Sequence, residues 1–190
     1  MKHAKFYLTS ALLTLATVAG ASEVHQDKRT PFGMYLNSVD AYHSLENDPA
    51  ILFIDVRTHA EAAFIGQPNG VDATIPIALS PTFELWDRNR KTVNLSINRN
   101  FVSEMDNLLE GNGLMKRDRL ILISRNGIRS ATAARILFKA GYSNVYSVID
   151  GFEGGMLQYG PNTGQRLVNG WKNNALPWSY NVNLADTISE

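Results

Sequence analysis

Six residues, Ser124-Arg125-Asn126-Gly127-Ile128-Arg129, separate an apolar run at Leu120–Ile123 from a helical pattern that begins at Ser130. A strand end joined to a helix start by so short a turn can cradle an anion. Successive main-chain N–H groups turn inward, and the helix N-terminus adds partial positive charge. Gly127 frees the backbone where a side chain would crowd it. Arg125 and Arg129 can add guanidinium charge or face water, and Ser130 counts with the same loop. Ser124 leads the turn, so it would sit amid these donors, a setting that lowers the pKa of a nucleophile and holds an oxyanion. A serine nucleophile also needs an adjacent base. The histidines beyond residue 21 are His25, His43 and His59, and none belongs to a recognisable Ser–His arrangement. His59 reads as a solvated helix residue.

Asp55 and Arg57 offer a second polar pair at a strand end. Either they orient the turn by hydrogen bonds or they form a structural pair. No metal site is expected: cysteine is absent, the histidines are scattered, and no H-x-x-x-H spacing occurs. No G-K-[ST] follows a glycine turn, so a Walker loop is excluded and no cofactor is expected.

These groups need elements to hold them. Ser38 can cap a short helix with Asp40 in its first turn and Val39, Tyr42 and Leu45 at helical spacing, ended by Pro49. Ile51 to Ile54 is a continuous apolar run, as in a strand covered on both faces, and it ends at Asp55-Val56-Arg57. Thr58-His59-Ala60-Glu61 is a capping box. Gly66, Pro68 and Gly70 break that helix, and Ile75-Pro76-Ile77 reads as a short edge strand. Residues 80–99, with Trp86 among Asp87, Arg88, Arg90 and Lys91, read as a long loop. Phe101, Met105, Leu108 and Leu109 give a helical face closed at Gly111-Asn112-Gly113. Leu120 to Ile123 is a second buried strand, and Ser130 to Ala140 a helix capped by Gly141. Val145 to Ile149 is a third strand, before Asp150-Gly151. The remainder, with Trp171 and Trp178, reads as an irregular tail packed on the domain. Strands alternating with helices predict an α/β fold with a mostly parallel sheet. Ligands of such sheets sit outside the carboxyl ends of the strands, where Ser124 lies.

Composition narrows the function. The chain has 190 residues, 44% hydrophobic and 19% charged, with 18 basic and 18 acidic side chains. That is the make-up of one packed domain, with no basic run for nucleic acid. Lys2 and Lys5 precede a mostly apolar stretch, Phe6 to Val18, and Ala19-Gly20-Ala21 fits an A-x-A cleavage site. The stretch is short for a membrane span, which needs about 20 apolar residues. A cleaved signal at residues 1–21 is therefore expected, with the periplasm as destination and no membrane span in the mature chain.

The segments FIDVRTHAEAAF, DATIPI and LILISRNGIRSATAARILFKAGYSNVYSVIDGFEGG resemble the rhodanese domain, a sulfurtransferase module. The likeness rests on Asp55-Val56-Arg57, the turn ending in Arg129-Ser130, Gly141-Tyr142, Asn144-Val145 and Asp150-Gly151, in that order. The six-residue turn matches the sulfurtransferase loop, whereas the related phosphatases use a loop one residue longer. GPNTGQRLVNGWKNNALPWSY looks like an extension found on periplasmic members. The resemblance implies a lead-in at 22–37, a rhodanese-like domain at 38–155 and a C-terminal extension at 156–190. It also implies a central parallel sheet flanked by helices on both sides.

The family's nucleophile is a cysteine heading the turn, in a pattern of the type C-R-x-G-x-R-S. Here that position is Ser124. In active members the thiolate takes the outer sulfur of thiosulfate and passes it to cyanide or a thiol. An alcohol is far less acidic than a thiol, and oxygen cannot form the sulfur–sulfur bond of the persulfide. Three readings follow. The domain binds a small sulfur-containing anion such as thiosulfate, or an unknown protein partner, without transferring sulfur. Alternatively, the parent chain is a thiosulfate sulfurtransferase whose Cys was changed to Ser. In the third, the domain is a structural or interaction module.

Overall fold

Two four-residue apolar runs, buried on both faces, set the plan of the molecule. The computed structural model describes residues 24–79, 86–87, 92–93 and 95–181. The expected signal at 1–21, the basic residues Arg88, Arg90 and Lys91, and the last residues of the extension lie outside them.

A 3-10 turn at Gln26–Lys28 precedes β1 (Tyr35–Leu36) and α1 (Ser38–Asn47). β2 (Leu52–Asp55), α2 (His59–Ile65), β3 (Gln67–Pro68) and β4 (Ala73–Thr74) follow. Next come the short strands β5 (Ala78–Leu79), β6 (Trp86–Asp87), β7 (Thr92–Val93) and β8 (Ser96–Ile97). The chain continues through α3 (Phe101–Gly111), β9 (Leu120–Ile123), α4 (Ile128–Lys139) and β10 (Val145–Val148). It ends in β11 (Gly155–Met156), β12 (Arg166–Val168) and β13 (Trp178–Ser179).

The central sheet has the order β1-β10-β9-β2-β4, and all four of its pairings are parallel. Its two inner runs feed opposite faces, as alternation along a strand requires. Leu52, Ile54, Leu120 and Leu122 pack with Phe101 and Met105 of α3 and Ala133, Ala134 and Leu137 of α4. Phe53, Ile121 and Ile123 pack on the other face with Ala41 of α1 and with Phe152 and Trp171. Helices therefore cover both sides of the sheet, as the sequence predicts.

Several local expectations are corrected. Asn37, not Ser38, caps α1: its side chain accepts from the Asp40 N–H. Ser38 begins the helix, and its hydroxyl donates to buried Asp150 at 2.8 Å. The expected strand at Ile75-Pro76-Ile77 is not a ladder. Ile75 and Ile77 donate to Asp55 and Val56, and Pro76, with no N–H to give, falls between β4 and β5. The 80–99 segment is not plain loop, since β5 pairs with β8 and β6 with β7, both antiparallel. At the end of the 22–37 lead-in, β1 joins the central sheet as an edge strand. The last helix starts at Ile128, two residues before Ser130.

Candidate functional site

β9 delivers Ser124 to the carboxyl edge of the sheet, where the polypeptide must leave the ladder and enter α4 within a few residues. Gly127 makes the turn possible. It is the N-cap of α4 with φ +91°, a left-handed conformation that disfavours a side chain. It also packs so tightly that a Cβ there would fall 2.2 Å from the Ile149 carbonyl oxygen. From the other side, Phe152 N–H donates to Ser124 O at 2.8 Å and Glu153 N–H to Arg125 O at 2.9 Å. The start of the loop is thus held by two main-chain bonds to the segment after β10.

Ser124 is fully buried. Gly127 N–H donates to its Oγ at 3.2 Å, so this amide points at the hydroxyl. Ser124 Oγ lies 3.3 Å from Ser130 Oγ, which is 2.9 Å from Ser147 Oγ and donates to Gly127 O at 3.1 Å. Ser124, Ser130 and Ser147, all wholly buried, form a hydroxyl chain beneath the loop. Among the described residues, no protein group accepts from the N–H of Arg125, Asn126, Ile128, Arg129 or Ser130. A helix start leaves its first amides unpaired in this way, and here the loop adds two more.

The two arginines of the loop have different fates. Arg129 donates to Glu61 of α2 with both terminal nitrogens, at 2.7 and 2.5 Å. Burial by itself would raise the Glu61 carboxyl. The Arg129 bonds and charge, with the Thr58 bonds of the capping box, overcome that and bring it to about 2. Arg125 is exposed and has no side-chain partner among the described residues. Asn126 is half-buried, and Ile128 is exposed at the rim.

Among the described residues, neither the Asp55 nor the Arg57 side chain hydrogen-bonds to the loop. They form a wholly buried pair with contacts of 2.6–3.0 Å, and Arg57 also donates to Gly66 O at 2.8 Å. The Arg57 guanidinium lies 4.3 Å from the centre of the Phe152 ring, and Phe152 holds Ser124 O. The pair supports the loop through one intervening residue. His59 is not solvated as the sequence suggests: it is half-buried, and its Nδ1 has no partner. Burial lowers its pKa against the opposing charges of Glu104 and Asp55.

Sequence reading missed Glu61 as the partner of Arg129, although the capping box that holds its carboxylate was visible. It also missed Gly151, where a Cβ would lie 2.4 Å from Ser124 O.

Comparison with known proteins agrees with this architecture. A family profile described as Rhodanese-like domain matches residues 38–157. The uncharacterized protein RP600 of Rickettsia prowazekii is 30% identical over 145 residues, covering 75% of this chain and 94% of its own. The uncharacterized protein RC0915 of Rickettsia conorii is 29% identical over 143 residues, with the same coverage. Among solved structures, Rv0390 from M. tuberculosis superposes with a TM-score of 0.54 at 26% identity, covering 77% of this chain and 97% of that one.

Proposed function

This chain belongs to the rhodanese-like domain family, and from that premise we propose that it binds a small sulfur-containing oxyanion of the thiosulfate class at the Ser124–Ser130 loop without transferring sulfur. The observation that carries the reading is the buried Ser124 hydroxyl, faced by the Gly127 N–H and followed by five amides with no protein acceptor. Amides of this kind give an oxyanion hydrogen bonds that water supplied before binding, and the α4 terminus favours negative charge.

Sulfur transfer needs a thiolate at this position. It would attack the outer sulfur of thiosulfate, form a cysteine persulfide and release sulfite. Attack by cyanide on the terminal sulfur would then restore the thiolate and release thiocyanate. Among the described residues, the Ser124 hydroxyl is hydrogen-bonded to another hydroxyl and an amide, and no base lies in that hydrogen-bonding chain. It therefore stays protonated and serves as a polar floor for the loop.

The test has two arms. Titration with thiosulfate, sulfate and sulfite should give saturable binding, and its absence would overturn the reading. Ser124→Cys should then gain thiosulfate-to-cyanide transfer, because the loop geometry otherwise stands ready. A folded cysteine variant that binds thiosulfate but transfers nothing would mark a loop adapted to binding alone. The leader motif ahead of Ser22 supports action in the periplasm. Protein recovered from that compartment should begin at Ser22.

A further inference from the structure

Two cations from outside the family-matched span of residues 38–157 bind the segment that backs the loop, at Ile149 and Gly154. Lys28, in the 3-10 turn, donates from Nζ to Ile149 O at 2.8 Å. This is the carbonyl against which Gly127 packs. Arg166, the first residue of β12, donates from Nη1 to Gly154 O at 2.7 Å. The residue beside that carbonyl, Glu153, is the one whose N–H holds Arg125 O. Lys28 and Arg166 are both half-buried, and neither forms an ion pair among the described residues.

The electrostatics agree with the geometry. Burial and then Arg125 hold the Arg166 guanidinium below its ordinary value, with Glu153 opposing and Arg129 adding to the effect. Burial lowers the Lys28 ammonium as well, with Asp150 opposing and Arg166 adding. Of the facing carboxylates, Asp150 is committed to Ser38 and Gly170, and Glu61 to Arg129. Hydrogen bonds from neutral donors leave Asp150 its charge, which opposes Lys28, while Glu153 opposes Arg166. Four cations, Lys28, Arg125, Arg129 and Arg166, thus stand against three carboxylates, Glu61, Asp150 and Glu153, which leaves net positive potential around the loop for a ligand to neutralise.

We propose that Lys28 and Arg166, together with Arg125, make the Ser124–Ser130 loop select doubly charged oxyanions over singly charged ones. The inference rests on the reading of this loop as an anion site. Amides and a helix terminus suffice for one negative charge, whereas a second gains in proportion to the cations around it. Coulomb energy scales with ligand charge, so removing one cation weakens a dianion by the square of the factor it costs a monoanion.

Calorimetric titrations with sulfate and with methanesulfonate, a tetrahedral monoanion, test this at constant ionic strength. The intact protein should prefer sulfate. Lys28→Met and Arg166→Gln should each weaken sulfate by roughly tenfold and methanesulfonate by about threefold. Exposed Lys139, at the far end of α4, serves as the control, and Lys139→Met should change neither. If the protein binds sulfate and both variants keep its affinity and selectivity, the inference fails while the loop reading stands. An equal loss in the Lys139 variant reduces the effect to net charge and also overturns it. No saturable binding to the intact protein overturns both readings. The two variants lie on separate segments, so a folding defect in one leaves the other to decide.

Discussion

At Gly127 one hydrogen atom in place of a methyl group decides whether the loop can close. Its φ is +91°, and the Ile149 backbone occupies the space a Cβ would take. Gly127→Ala should destabilise the fold by roughly 2–4 kcal/mol, through positive-φ strain and displaced backbone, as urea unfolding will measure. Ser130 is the second sensitive position. Its hydroxyl accepts from Ser124 and Ser147 and donates to Gly127 O, all in a buried setting. Ser130→Ala should cost about 1–3 kcal/mol, because it strands hydroxyls that water cannot reach. The motif containing these residues was legible in the sequence, as was the need for glycine in the turn. The hydroxyl chain was not, since Ser147 lies on another strand, 17 residues from Ser130.

At the scale of elements, the Glu61–Arg129 pair ties α2 to α4 across the site. The Glu61 carboxyl, ordinarily near 4.5, is held at about 2 in the folded protein. A depressed acid stabilises the fold above its unfolded pKa and loses that contribution as pH falls through the folded one. The pair should therefore contribute in full above about pH 4.5 and fade toward pH 2, a loss of up to ~3 kcal/mol. Unfolding free energies of the parent chain should fall across this window. Those of Glu61→Gln should fall less steeply. An equal slope would show that the pair contributes nothing. The elements themselves were largely readable. Continuous apolar runs marked β2 and β9, and the capping box marked the start of α2. The two-residue strands β5 to β8 were not, because ladders so short leave no periodicity to detect.

At the scale of the whole molecule, the C-terminal extension is part of the core. Trp171 is wholly buried, stacked on Phe53 with ring centres 5.3 Å apart and edge-on to Tyr42. Its Nε1–H donates to Pro177 O at 2.8 Å. Trp171→Ala should cost about 3–5 kcal/mol in chemical denaturation. The extension closes further through Asp150, which accepts from Ser38 at the start of α1 and from Gly170 after β12. Among the described residues, no helix is long and apolar enough to cross a membrane.

Residue order by itself determined the α/β class, the inner strands, the capped start of α2 and the loop headed by serine in place of cysteine. Each is a local property, written in apolar period, glycine and proline placement, or the chemistry of one side chain. Only the tertiary structure decided that Arg129 is engaged by Glu61, 68 positions away, and that Lys28 reaches Ile149 across 121. It likewise brought Arg166 back to Gly154, next to the Glu153 amide that holds the start of the loop. Such meetings depend on strand order and on the path of the connections, which set distances in space that spacing along the chain does not encode.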